Sequence, residues 1–243
     1  LNFHFLSYAK IIFDSTVINN ALSSYKKKLS FMQLADLRQD YKLRALELSD
    51  VATDPIAQFE TWFQEALNSD LLEPNAMVLA TATADGMPSA RVVLLKGVNE
   101  QGFVFYTNYE SQKGQALAEN PKAALVFNWL ELQRQIRIQG SVEKVEDALS
   151  ISYYQSRPKS SQIGAWSSPQ SQVIASRAIL EQKELELQAQ YAETETLPRP
   201  PHWGGYRVRP TVIEFWQGRS SRLHDRVRYR LEEGAWIVER LAP

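Results

Sequence analysis

The chain has 243 residues, 44% hydrophobic and 23% charged, the balance of a soluble globular protein with enough apolar material for a core. Lysine plus arginine (27) nearly cancels aspartate plus glutamate (28), which argues against nucleic acid as a partner and makes any positive site local. The absence of cysteine removes disulfides, thiolate catalysis and zinc-ribbon sites, and His4, His202 and His224 lack metal-ligand spacing, so no metal centre is expected.

No stretch approaches the ~20 apolar residues of a membrane span. The first thirty residues mix apolar and polar types, and Asp14 and Asn19-Asn20 interrupt any signal-peptide core. Met32 opens Met32-Gln33-Leu34-Ala35-Asp36-Leu37-Arg38, which puts the expected native start near Met32, with a cleaved targeting peptide as the weaker alternative. Residues 1–49 are expected to be an extension and 50–243 a single domain.

Asp50, or Thr53-Asp54-Pro55, can open a helix in which Ile56, Phe59, Trp62, Phe63, Ala66 and Leu67 recur as one apolar stripe. Residues 77–83 and 90–96 read as strands joined by the turn Ala84-Asp85-Gly86, and Asn99-Glu100-Gln101-Gly102 turns into a third strand, 103–107. A helix over 111–119 precedes strands 123–129 and 133–145. Helices then follow over 148–155, ended by Arg157-Pro158, over 160–166 and over 179–192. Residues 197–201 form a proline-rich linker, and strands return at 206–216, 222–231 and 236–241. The fold class is mainly β, an antiparallel barrel with peripheral helices (α+β).

On a strand through 222–231, Arg222, His224 and Arg226 share one face, a composition suited to an anionic planar ligand and a proton; the bland reading is a solvated strand face. Four segments set the context: Arg91-Val92-Val93-Leu94-Leu95-Lys96; Phe105-Tyr106-Thr107-Asn108; Ser156-Arg157-Pro158 with Ser161-Gln162-Ile163-Gly164-Ala165-Trp166; and Glu214-Phe215-Trp216-Gln217-Gly218 with Arg222-Leu223-His224-Asp225-Arg226. In this order they resemble the pyridoxine (pyridoxamine) 5′-phosphate oxidase family, FMN enzymes with a split-barrel fold. The resemblance runs from about Leu37 to the C-terminal Arg240-Leu241-Ala242-Pro243. No G-x-G-x-x-G precedes a helix, so a Rossmann mode of flavin binding is not indicated.

The resemblance implies a cytoplasmic homodimer with FMN at a two-fold interface. The residues it implies for the cofactor are Arg91, Val92, Val93, Leu94, Leu95, Lys96, Tyr106, Thr107, Lys113, Gln135, Gln170, Ser171, Trp216 and Arg226. Arg91 and Lys113 supply cations for the FMN phosphate; Trp216 alone would also read as a core aromatic. Gln112 stands where the family commonly carries arginine, which puts FMN affinity in question.

For the substrate phosphate the resemblance implies Lys96, Tyr153, Arg157 and Ser161. Tyr153 and Arg157, four apart, share a face if helical, and Ser161 falls near a helix start. Arg91 and Lys96 are an odd number apart, so Lys96 lies past the strand end or a bulge intervenes.

Arg222 and His224 are the implied catalytic pair on the substrate's pyridine ring, Arg222 stabilising negative charge and His224 either orienting a ring oxygen or relaying a proton. Arg38 and Tyr41 belong to a segment resembling one that closes over the ligand. The implied reaction is hydride transfer from C4′ of pyridoxine 5′-phosphate or pyridoxamine 5′-phosphate to N5 of FMN, giving pyridoxal 5′-phosphate, with O2 reoxidising the flavin to give peroxide. The alternatives are another split-barrel flavin reductase and a non-catalytic carrier of FMN or pyridoxal 5′-phosphate.

Overall fold

A long strand with two different partners along one edge organises the barrel. In the computed structural model, which describes residues 40–243, an interior strand of the sheet, β7 (Trp203–Gln217), lies along the whole of β6 (Arg134–Lys144) through Tyr206–Gln217. Its other edge pairs with β4 (Gly102–Asn108) over Trp203–Val208 and with β8 (Asp225–Glu232) over Val212–Gln217. The remaining strands are β1 (Ala76–Ala82), β2 (Pro88–Leu94), β3 (Gly97–Asn99), β5 (Lys122–Trp129) and β9 (Ala235–Leu241). All pairings are antiparallel, in the order β2-β1-β5-β6-β7-β4-β3, with β8 on β7 and β9 on β8. A register shift at Gln139/Gly140 lets β6 bend around β7; a Cβ on Gly140 would lie 1.9 Å from the Arg209 carbonyl oxygen, so only glycine fits.

Helix α1 (Pro55–Leu67) starts where the sequence places it. Asp54 accepts from the Ala57 amide at 3.0 Å and Pro55 occupies the first turn, both favourable at a helix N-terminus. Its stripe packs into the main buried core of the sheet. Phe59 meets Phe103 edge-on at 4.8 Å and Trp62 meets Phe215 at 5.2 Å, with both α1 residues buried. Truncating Phe59 to alanine would cost about 3–5 kcal/mol by lost burial and cavity formation.

The other helices are α2 (Gln112–Glu119), capped by Ser111, then α3 (Asp147–Ser156), α4 (Lys159–Ser167) and α5 (Ala178–Gln190). A second buried cluster of Tyr154, Ile163, Leu187, Leu197 and Trp203 ties α3–α5 to the start of β7. Tyr41–Pro243 forms one compact unit. Arg38 and the start expected near Met32 lie outside the described residues.

Two of the strand boundaries that differ from the sequence reading bear on the site. The strand expected over 90–96 ends at Leu94, and Lys96 beyond it donates its amide to the Val104 carbonyl at 2.8 Å; Lys96 lies past the strand end. The strand expected over 222–231 begins at Asp225. Ser220–Arg222 is a 3-10 turn with positive φ at Ser221 (57°) and Arg222 (62°). Arg222 and His224 therefore do not share a strand face with Arg226; the left-handed turn, rarely signalled by non-glycine residues, ends the alternation.

Candidate active site

The structure divides the expected site residues into two main groups. The first lines a cavity of about 470 Å³ between β2, β4, α3 and α4, and comprises Val92, Val93, Leu94, Lys96, Tyr106, Thr107, Lys113, Tyr153, Arg157, Ser161 and Gln170. Leu95, just past the end of β2, is instead buried in the core.

Arg157 sits at the corner where α3 ends before Pro158. Gln162, 1% exposed, fixes that corner by donating to the Arg157 carbonyl at 2.8 Å and the Gln155 carbonyl at 3.2 Å, while its side-chain oxygen accepts from the Leu197 amide at 2.7 Å. The guanidinium lies over the faces of Trp203 and Tyr154, and its Nη1 is buried with no hydrogen-bond partner. Burial pushes its pKa down, opposed by Tyr153 and Tyr154. A buried donor without an acceptor is costly, and an anion in the cavity would satisfy it.

Lys113, buried on the first turn of α2, donates to Thr107 (3.2 Å), Ser111 (3.3 Å) and the Gln170 side-chain oxygen (3.2 Å), all neutral groups. Burial and then Arg91 lower its pKa, so the two cations lie in each other's field. Arg91 reaches Thr81 and the Ser89 hydroxyl, each at 2.8 Å. Two like charges, neither paired with a carboxylate, beside a helix N-terminus fit a phosphate. Gln112, in the same turn, is exposed, and Ser171 follows Gln170 with φ 70°. The Tyr106 phenol is pushed up to about 12 by burial and then by Tyr153, and so remains a hydrogen-bond donor.

The second group surrounds Trp216. Tyr41, Gln135 and Trp216 line a cavity of about 270 Å³, and the His224 ring stands 4.6 Å from the Trp216 ring. Tyr41 meets both rings at 5.9 Å. Its segment is strapped down by Gln133, whose side-chain oxygen accepts from the amides of Lys42 (3.1 Å) and Leu43 (3.3 Å), and by Ser220, which donates to the Tyr41 carbonyl. Gly218 makes room: a Cβ there would sit 2.8 Å from Cγ of Tyr41. Arg226 is engaged with Glu214 at 2.8 and 3.1 Å and with the Ala242 carbonyl at 2.9 Å.

Arginine pairing sorts the charges. Among the described residues every arginine except Arg91, Arg157 and Arg222 forms an ion pair with a carboxylate. These are the arginines expected at the FMN phosphate, the substrate phosphate and the reacting carbon. Trp203, Gln162 and Asp225 were not singled out from the sequence. Trp203 could have been suggested only by its place after the proline-rich linker; the roles of Gln162 and Asp225 depend on distant backbone groups. No group of three or more His, Asp or Glu placed to hold a metal occurs among the described residues.

Residues 63–191 match the family model described as pyridoxamine 5′-phosphate oxidase, and residues 203–243 match the pyridoxine 5′-phosphate oxidase C-terminal dimerisation region. The pyridoxine/pyridoxamine 5′-phosphate oxidase of Cupriavidus pinatubonensis is 59% identical over 212 residues, covering 87% of this chain and 99% of the relative. That of Acaryochloris marina is 58% identical over 210 residues, covering 86% and 95%. Among solved structures, PhzG from Burkholderia lata, in complex with tetrahydrophenazine-1-carboxylic acid, superposes with a TM-score of 0.79 at 32% identity, covering 84% of this chain and all of that one. A pyridoxamine 5′-phosphate oxidase-related, FMN-binding protein from Nostoc punctiforme shares the fold, with a TM-score of 0.60 at 17% identity, covering 76% and 97%.

Proposed function

The chain belongs to the pyridoxamine 5′-phosphate oxidase family, and on that premise we propose that it oxidises pyridoxine 5′-phosphate and pyridoxamine 5′-phosphate to pyridoxal 5′-phosphate with FMN. The observation that supports this reading is the set of arginines without carboxylate partners, Arg91, Arg157 and Arg222, whose uncompensated charge suits two phosphates and a developing negative charge. Lys96, Tyr153, Arg157 and Ser161 grip the substrate phosphate. Arg91 and Lys113 take the FMN phosphate, supported by Thr107, Gln170 and Ser171, while Val92, Val93, Leu94, Tyr106, Gln135, Trp216 and Arg226 surround the rest of the cofactor.

When bound, FMN would supply the electron sink for a hydride leaving C4′, with dioxygen as the final two-electron acceptor, giving hydrogen peroxide. The chain's residues handle binding and protons. Arg222 offers positive charge to the C4′ oxygen or nitrogen as its proton departs. His224 receives the Arg219 amide at Nδ1, at 3.1 Å, so its neutral ring presents Nε2–H as a donor to a ring oxygen. For the amine substrate, water supplies the aldehyde oxygen and ammonia leaves.

The protein acts as a cytoplasmic homodimer in this reading. The cavity holding Arg157 and that beside Trp216 share no lining residue, and Trp216, Arg222 and His224 fall within the segment similar to a dimerisation region. A second copy would bring one group to the other at each FMN. No helix among the described residues is long and apolar enough to cross a membrane.

The test is a visible spectrum of FMN-loaded protein mixed anaerobically with pyridoxine 5′-phosphate. The flavin band is expected to bleach and to return in air with pyridoxal 5′-phosphate formed. An unchanged band in folded, FMN-bound protein would overturn the oxidase reading.

A further inference from the structure

We propose that Trp203 is a positioning residue for the phosphate clamp: its indole face holds the Arg157 guanidinium where other arginines of this chain use a carboxylate, leaving that cation's donors for a phosphate monoester. The proposal rests on the substrate reading above, in which Arg157 grips phosphate. Trp203 itself is firmly placed. It opens β7 with its Cα opposite Asn108, donates its amide to the Pro200 carbonyl at 3.1 Å, and accepts at its own carbonyl from Arg199.

The indole is 7% exposed and belongs to a three-ring stack. It lies 10° from parallel with Tyr106 at 5.5 Å and 7° from parallel with Tyr153 at 6.2 Å, while those two tyrosines stack at 3.9 Å. Tyr154 packs against it edge-on at 5.3 Å. Cζ of Arg157 stands 4.7 Å from the indole centroid. A cation over an aromatic face is attracted by the ring quadrupole, most strongly by indole, and surrenders none of its N–H donors. A carboxylate would hold the guanidinium as well but would occupy those donors and repel an incoming phosphate. The same stack fixes Tyr153, so one side chain sets two phosphate-gripping groups.

The test uses the FMN-loaded full chain with Trp203→Met, which fills space without a π face, and Trp203→Phe, which restores one. Binding of inorganic phosphate alone is measured by calorimetry, and KM and kcat are measured for pyridoxine 5′-phosphate and unphosphorylated pyridoxine. Trp203→Met is expected to weaken phosphate binding and raise KM for the phosphorylated substrate roughly three- to thirtyfold, the range of a partly buried cation–π contact. Its kcat should change less, KM for pyridoxine should hold, and Trp203→Phe should lie between Trp203→Met and the parent. Unaltered phosphate affinity, an equal rise in KM for both alcohols, or a Phe variant as impaired as Met would overturn the proposal, as would a parent that binds no phosphate. Should Trp203→Met not fold, the Phe variant decides, because indole outranks phenyl and a measurable loss of phosphate affinity is required. If the parent binds phosphate yet does not oxidise pyridoxine 5′-phosphate, the substrate reading fails while the phosphate titration still judges Trp203.

Discussion

The Arg219 backbone N–H donates to Nδ1 of His224 at 3.1 Å, while the Arg219 side chain pairs with Asp225, the next residue, at 2.8 Å. The loop is thereby closed on both sides of the imidazole. A ring that accepts at Nδ1 carries its neutral-state proton at Nε2. Burial and then Arg222 lower the His224 pKa, with Asp225 opposing them. The ring is therefore expected to titrate below the usual value of about 6.5. Nitrogen NMR, assigned by loss of the signal in His224→Gln, should show the Nε2–H form at neutral pH. Arg222→Leu should raise the midpoint and Asp225→Asn should lower it; an Nδ1–H ring or a midpoint blind to Arg222 would refute the arrangement.

Arg222 is itself the next variable. It is a cation without a carboxylate partner on a left-handed turn, so its loss removes charge but no ion pair. Arg222→Leu is expected to lower kcat by about a hundredfold, the scale of a lost transition-state donor, while FMN affinity changes little. Stopped-flow flavin reduction and FMN titration separate the two, and equal losses would contradict a transition-state role.

For the FMN phosphate, Lys113→Ala should weaken cofactor binding roughly ten- to a hundredfold, since a buried charge-assisted contact disappears. Gln112→Arg adds a cation that can contact the phosphate from the same first turn and should tighten FMN severalfold. Fluorescence quenching of free FMN on titration with apoprotein reads both. No change in either variant would place the phosphate elsewhere.

Arg157→Ala should act on binding rather than turnover. A KM for pyridoxine 5′-phosphate raised at least tenfold with kcat largely kept is the expected pattern, because the phosphate is remote from the reacting carbon. Unphosphorylated pyridoxine should be unaffected, and a parent that uses both alcohols equally well would remove the phosphate-handle argument.

Local signals carried much of this architecture. Asp54-Pro55 and Ser111 marked helix starts that the structure uses, and the turn at Gly86, with φ 91°, joins β1 to β2 as its sequence suggests. What stayed hidden depends on register or on distant backbone. Arg226 finds Glu214 diagonally across β7 and β8, where Trp216 faces Arg226 and Glu214 faces Arg228, a pairing that exists only once those strands align. The turn at Ser221–Arg222 uses positive φ without glycine, so strand alternation was carried three residues too far. Trp203 acts through groups tens of residues away, and Gln162 ties its near neighbours Gln155 and Arg157 to the distant Leu197 amide, which no local pattern encodes.

Asp225 offers a test of stability with a definite sign. Its carboxylate, at the start of β8, accepts the Leu46 amide at 3.0 Å and binds Arg219 at 2.8 Å and Arg240 at 3.0 Å, joining the N-terminal strap to the barrel. Burial works to raise its pKa, but the Leu46 amide and the two arginines prevail and hold it below the ordinary range. A depressed carboxylate contributes stability that is complete above its unfolded pKa, about 3.9, and is lost as pH falls through the folded value. Asp225→Asn keeps the shape and removes the charge. Both arginines are partly exposed, so the expected cost near neutral pH is about 2 kcal/mol, or a fall in Tm of about 4–8 °C. That gap should shrink in thermal melts as pH falls from about 4 through the depressed folded value, because the parent's unfolded and then folded carboxylate takes up a proton. A gap that persists undiminished in acid would mean that hydrogen-bond geometry, rather than charge, holds the strap.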